Sequence, residues 1–245
     1  MDRIRVIDTE TTGLEPDAGV VEVGWTDVVL WNGKWMATVP HSRLVNPGRS
    51  IPPEAASVHH ITDEMVKDEP GLSEVLSRWN ILDPEIELFA AHRVAYDSQY
   101  IRIEEPQGWL CTYKIAIRLA PGAAKHTNQF LRYRLKLELA DPLLADPPHR
   151  AGGDSYVTAN LLARMLNAKP VDELIAISNE PVVLPRLTFG EHAMKPLDEV
   201  PTSYLEWIMY KSKGEWDPDV KSTCAYHLSL RVAEGRDQPF DKVGD

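Results

Sequence analysis

Cysteine is scarce: Cys111 and Cys224 are the only two in 245 residues. They lie far apart and lack C-x-x-C spacing, which argues against both a disulfide framework and a zinc site. No apolar run is long enough to span a bilayer, and no basic-then-apolar leader opens the chain. No membrane partner is therefore expected, and a reducing, cytoplasmic setting is. Internal repeats and low-complexity runs are absent. Positive charge is also short, with 26 Lys and Arg against 37 Asp and Glu and a net charge of −11. That balance by itself disfavours a nucleic-acid partner, because phosphate binding relies on Lys and Arg. With 43% hydrophobic residues the chain can bury a real core, as one large domain or a main domain with a small appendage.

What the chain does have is concentrated near its start, in Val6-Ile7-Asp8-Thr9-Glu10-Thr11-Thr12-Gly13-Leu14. The lead-in Ile4-Arg5-Val6-Ile7 reads as a buried strand. Asp8 and Glu10 follow it two residues apart, so both side chains point to one face. Two like charges there would repel, and burial would raise the cost. A hard cation such as Mg²⁺ or Mn²⁺ removes the problem. On this stretch alone a capping Asp beside a solvated Glu is an equal reading.

The elements that follow alternate. Val20 to Trp31 reads as a strand, Asn32-Gly33 as a hairpin turn, and Lys34 to Val45 as the antiparallel return. Pro52-Pro53 opens a short helix, Thr62 caps another, and Leu72 to about Leu82 forms a third. Ile86 to Ala91 is a buried strand leading into a helix near Val94. Trp109 to Thr112 is a short strand before a helix at Tyr113 to Leu119, and Thr127 caps the next. A Pro-rich loop, Asp141 to Pro148, delivers His149 ahead of a long helix starting around Asp154. Residues 178–185 read as a linker, dividing 1–178 from a small module at 186–245. That module is expected to hold a short strand and helices at Tyr204 to Tyr210 and from Pro218. A hairpin followed by strands alternating with helices predicts an α/β domain with a mixed sheet.

One stretch departs from the acidic average. Lys114, Arg118, Lys125, Arg132, Arg134 and Lys136 occur between Cys111 and Lys136 with no acid among them. A charge run by itself is most simply a solvated helix face. With an independent argument for a nucleic-acid substrate it reads as a local phosphate-binding patch.

The acids supply that argument. Asp8-Thr9-Glu10, the stretch from Ala91 to Asp97, and His149 five residues before Asp154 resemble the three motifs of the DnaQ-like, DEDD-type 3′→5′ exonucleases. The histidine, with Arg150 where the other branch has Tyr, resembles the DEDDh branch. Val58-His59-His60-Ile61-Thr62 is similar to that family's Val-His-Gly-Ile-Thr segment. The resemblance covers nearly the whole chain, including Leu110-Cys111-Thr112-Tyr113-Lys114 and Thr188-Phe189-Gly190. It departs at Arg93, where the family usually has Asn, and at Glu191-His192-Ala193-Met194, where a basic turn is usual.

The resemblance implies a ribonuclease H-like fold, a mixed five-stranded sheet flanked by helices, and two Mg²⁺ ions with Mn²⁺ as substitute. By it Asp8 bridges both metals, Glu10 and Asp154 help hold the nucleophile-side metal, and Asp97 acts largely through bound water. His149 takes the proton from the attacking water, a task suited to an imidazole. Thr9, Thr11, Gly13, Leu14, His60, Arg93, Lys125, Arg132 and Arg134 are the candidate substrate contacts. For Leu14 a plain core position is nearly as good a reading, for His59 and His60 helix-edge packing is, and His92 reads as structural. Tyr204 and Trp207 read as core rather than as a stacking platform. The expected activity is a metal-dependent 3′→5′ exodeoxyribonuclease acting on 3′ ends of single-stranded or duplex DNA. Short RNA as substrate, and a non-catalytic DNA-end-binding or polymerase-associated subunit, are the rival readings. Oligomeric state stays open, a homodimer included.

Overall fold

Strand β1 (Arg3–Thr11) is buried along most of its length and lies at the centre of the sheet. The computed structural model describes residues 1–15, 17–214 and 216–234. β2 (Val20–Trp31) pairs antiparallel with β1, and Asn32 and Gly33, at φ 49° and 77°, turn it into β3 (Lys34–Ala37). A turn with both central residues at positive φ matches the twist of the strands it joins. The return expected as one strand is two. It breaks over 38–40, where Pro40 has no N–H for the ladder, and resumes as β4 (His41–Leu44), also on β2. β5 (Leu88–Ala91) and β6 (Gly108–Cys111) add parallel on the far side of β1. The order is β3-β2-β1-β5-β6 with β4 beside β2, six strands among the described residues where five are expected.

Alternation along β1 decides what each face carries. Ile4, Val6, Asp8 and Glu10 share one face, and Arg5 and Ile7 the other. Helices α6 (Asn128–Arg134), α7 (Ala151–Ala168) and α8 (Val171–Asn179) pack on the first face, where Ile115 and Ala116 also belong to the core. There Ile4, Val6 and Val28 pack with Leu131, Leu162 and Leu174. On the second, Ile7, Val23 and Phe89 pack with Val75 of α3 (Leu72–Arg78), Ile81 and Ile101. Smaller helices α1 (Pro53–His59), α2 (Asp63–Val66), α4 (Val94–Asp97) and α5 (Thr112–Leu119) occupy the connections. Thr62 and Thr127 stand at the N-cap positions of α2 and α6, but neither side chain makes the cap bond. α3 ends before Leu82, and α7 begins three residues ahead of Asp154.

The chain forms two compact units, Met1–Ala116 with Ala124–Asn179, and Ile117–Ala123 with the residues from Glu180 on. Ser178, expected to open the linker, is instead buried at the end of α8, where its hydroxyl accepts the Cys111 N–H of β6 at 2.8 Å. In the second unit α9 (Thr202–Glu206) runs on as a wider π turn, Trp207–Lys211, and α10 (Pro218–Ala233) follows. They enclose Leu187, Leu197, Leu205, Ile208 and Cys224. The short strand expected after 186 is not found among the described residues, and 235–245 lie outside them. Tyr204 stacks on Trp207 with ring centroids 5.8 Å apart, but Trp207 stays 43% exposed rather than entering the core. No helix among the described residues is long and apolar enough to cross a membrane.

Candidate active site

The antiparallel register sets Gly24 opposite Asp8 and Glu22 opposite Glu10, all on the face that α7 covers. Gly24 permits the close approach: a Cβ there would stand 2.0 Å from the carbonyl carbon of Ala151, the first residue of α7. Asp154 lies in the first turn of that helix, where the positive end of the dipole favours a carboxylate. Its Oδ1 accepts from Gln129 Nε2 at 3.1 Å, and its Oδ2 accepts the His149 backbone N–H at 2.8 Å. Asn128 Nδ2 donates to the Asp154 carbonyl at 3.0 Å. Asp97 arrives from α4, just beyond the end of β5, and is buried with Thr9 Oγ1 donating to its Oδ1 at 2.8 Å.

Strand ends and a helix start thus converge. Glu10, His149 and Asp154 each offer a ligand atom within 4.8 Å of the others. Burial, then the charges of Asp97, Asp154 and Glu10, holds Asp8 well above the usual carboxylate range. Burial, then Asp154 and Glu22, pushes Glu10 up to about 8. Burial raises Asp97 to about 7 against the pull of its Thr9 hydrogen bond, and raises Asp154 as well. Hard carboxylate oxygens that crowd and repel one another are the donor set a divalent cation neutralises. The cluster is a possible divalent-metal site.

A folded protein that keeps Glu10 protonated up to about 8, against an ordinary 4.5, holds a proton the unfolded chain releases. Its contribution is fully present below the unfolded value and is lost as pH rises through the folded one. The stabilisation gained on adding Mg²⁺ should therefore be larger near pH 8 than near pH 5, where protons compete for the ligands. Melting curves with Mg²⁺ and with chelator at both pH values check this. Equal shifts at the two would contradict it.

The candidate substrate residues divide. Thr9 and Thr11 turn inward: Thr9 to Asp97, and Thr11 Oγ1 to the Gly13 carbonyl at 2.6 Å and beside the Tyr96 hydroxyl at 2.5 Å. Thr11 thereby shapes the loop that carries Gly13 and Leu14. Leu14 is 83% exposed, which removes the core reading. His59 is buried, its Nδ1 accepting the Ile61 N–H at 3.0 Å, whereas His60 is exposed at the end of α1. Arg93 is exposed, its guanidinium 4.6 Å over the Tyr113 ring. His92 is structural, lying between Thr112 Oγ1 at 2.9 Å and the His126 carbonyl at 2.6 Å, and burial holds it down to about 4.

Arg132 corrects the reading of the basic stretch. It is 8% exposed, and its guanidinium donates to the carbonyls of Ala145 and Pro142 and to Asp146. A side chain so placed braces the loop before His149 and spends its donors within the protein rather than on an exposed surface. Arg118 pairs with Glu180 at 3.0 Å, while Lys125 and Arg134 are exposed. Arg132→Met is expected to cost about 1–3 kcal/mol in urea unfolding, since its acceptors lose their donor. Lys125→Ala with Arg134→Ala should leave stability unchanged. It should also flatten the log–log salt dependence of DNA binding by about one unit per contact. The reverse pattern would return Arg132 to the substrate.

Four residues beside the site were given no role in the sequence reading, Glu22, Tyr96, Asn128 and Gln129, and Arg150 was read only as the position where the other branch has Tyr. Asn128 and Gln129 support Asp154, and Tyr96 supports the Gly13 loop. Glu22 carried a signal, an acid inside the apolar run Val20-Val21-Glu22-Val23.

Comparison with known proteins gives a consistent answer. The exonuclease family profile matches residues 6–162. Exodeoxyribonuclease 10 of Escherichia coli K12 is 33% identical over 230 residues, spanning 92% of this chain and 98% of that one. The structure of Exonuclease X in complex with 5′ overhanging duplex DNA superposes with a TM-score of 0.60 at 35% identity, covering 72% of this chain and 99% of that one. The nuclease domain of 3′hExo, a DEDDh family member, shares the fold at 16% identity, with a TM-score of 0.54 and coverage of 68% and 92%. The ribonuclease H-like, mixed-sheet fold is the one these structures share.

Proposed function

The chain belongs to the exonuclease family, and from that premise we propose that it hydrolyses DNA from the 3′ end to nucleoside 5′-monophosphates. The observation that carries this reading is the convergence of Glu10, His149 and Asp154, with Asp8 and Asp97 beside them, on one sheet end. Asp8, Glu10, Asp97 and Asp154 would hold two Mg²⁺ ions, or Mn²⁺ in their place, which neutralise the phosphate and stabilise the leaving oxygen. His149 removes the proton from the attacking water. Its backbone N–H is tied to Asp154, which sets where the ring begins. Leu14, apolar and exposed, stacks under the terminal base, with Thr11 holding its loop at the Gly13 carbonyl. His60, Arg93, Lys125 and Arg134 line the path of the strand. All of these residues lie in the first unit, which makes it the catalytic domain and the second an accessory module. Two free, buried cysteines suit a cytoplasmic setting.

DNA rather than RNA is favoured by the relatives, exodeoxyribonuclease 10 and Exonuclease X with bound duplex DNA. The test uses matched DNA and RNA oligonucleotides, single-stranded and duplex, with Mg²⁺ or chelator. DNA should be digested only with metal. A 3′-phosphate should slow digestion and a 5′ block should not. Digestion stopped by the 5′ block alone would reverse the assigned direction, and a preference for RNA would move the substrate class.

A further inference from the structure

Glu22 is a fifth acid at the same sheet end, only 1% exposed, and it is not spent on the metal cluster. Both of its carboxylate oxygens are already taken. Oε1 accepts from Arg150 Nη2 at 2.8 Å, and Oε2 accepts from Arg150 Nε at 2.9 Å and from the Ala151 N–H at 2.9 Å. The last of these matters for α7. Its N-cap residue is Arg150, whose side chain makes no cap bond, so the first helical N–H is satisfied by a strand instead. Two residues along β2, Gly24 lets the Ala151–Gly152 backbone lie directly on the sheet. Two residues further, Thr26 Oγ1 meets Ser155 Oγ at 2.9 Å. β2 therefore grips the start of α7 at three successive positions of one face. The outermost, Glu22, holds the two residues that follow His149.

We propose that Glu22 and Arg150 are a positioning pair for the reaction, fixing the turn at 149–151 so that the His149 ring is presented to the attacking water. The pair acts through His149, and so the inference rests on the reading of His149 as the base. His149 needs such a hold: it is exposed, sits at φ 60° outside the helix, and is anchored on its own account by one backbone bond to Asp154. A bidentate guanidinium–carboxylate pair fixes direction as well as distance, which a lysine in place of Arg150 would do less well.

The test is a double-mutant cycle in steady-state cleavage of a short single strand with Mg²⁺. Glu22→Gln should lower kcat by about 10- to 100-fold, the range a small misplacement of a catalytic group causes. KM and the Mg²⁺ midpoint should stay within about threefold of the parent. In a His149→Ala background the same change should cost less than about twofold, because the group it positions is already gone. Arg150→Lys should retain more activity than Arg150→Met. If Glu22→Gln does not fold, Arg150→Met, at a side chain 31% exposed, carries the same cycle. Parent-level kcat in the folded variant, a loss carried by KM or by the Mg²⁺ midpoint, or a full additive loss without His149 would each overturn the pairing and leave the nuclease reading standing. Parent-level turnover in His149→Ala itself would instead remove the reading beneath it.

Discussion

Asp8→Asn is expected to abolish cleavage, by about 10³-fold or more, in a protein at least as stable as the parent without metal. The first half follows from the ligand role. In the proposed site a carboxylate that would be shared between two metals becomes an amide of the same size, and the several kcal/mol of charge stabilisation the metals would lend the transition state go with it. The second half follows from the electrostatics. Asp8 is crowded by Asp97, Asp154 and Glu10, each of which raises the cost of its charge, so a neutral side chain relieves repulsion. DNA binding should persist. Turnover and metal-free melting temperature, measured on one preparation, check both halves. Near-parent turnover in the folded variant would falsify the assignment of Asp8 as a metal ligand. A large fall in melting temperature would show that Asp8 holds the fold together rather than straining it.

His149→Ala is expected to lower turnover by about 10²- to 10⁴-fold, the usual contribution of a positioned base, with the Mg²⁺ dependence unchanged. The geometry makes this a demanding test. The ring lies in the same 4.8 Å group as Glu10 and Asp154, so a ligand role is sterically available to it. The two roles part in the metal titration. A base leaves the Mg²⁺ midpoint where it was, whereas a ligand shifts it upward. A shifted midpoint with turnover restored at high Mg²⁺ would make His149 a ligand and leave the proton to another acceptor.

The sequence by itself determined which acids and which histidine come together and the order in which the chain supplies them. Asp8 and Glu10 at period two on a β-branched strand must share a face. The spacing of His149 and Asp154 across a helix start places them close together, because both follow from local backbone geometry. The hairpin at Asn32-Gly33 and the helices before and after the late loop were legible for the same local reason. α8 was not read as a helix, although Val171, Leu174 and Ile175 have helical spacing, and its end at Ser178 and Asn179 read as linker.

What the tertiary structure decided concerns side chains whose partners are remote in sequence. Arg132 and Arg134 are two residues apart in one basic run, yet one is buried on carbonyls of a later loop and the other is exposed. No composition argument separates them, because burial depends on what packs across from each. Leu14 and Leu131 are likewise both leucines, one 83% exposed and one at 0%. Glu22 is the strongest case. Its partners stand 128 and 129 positions away, and only the register of β2 on β1 and the close approach at Gly24 bring them together. Local spacing names the acids and the histidine that come together. Which residues hold them in place is set by the packing of α7 on the sheet.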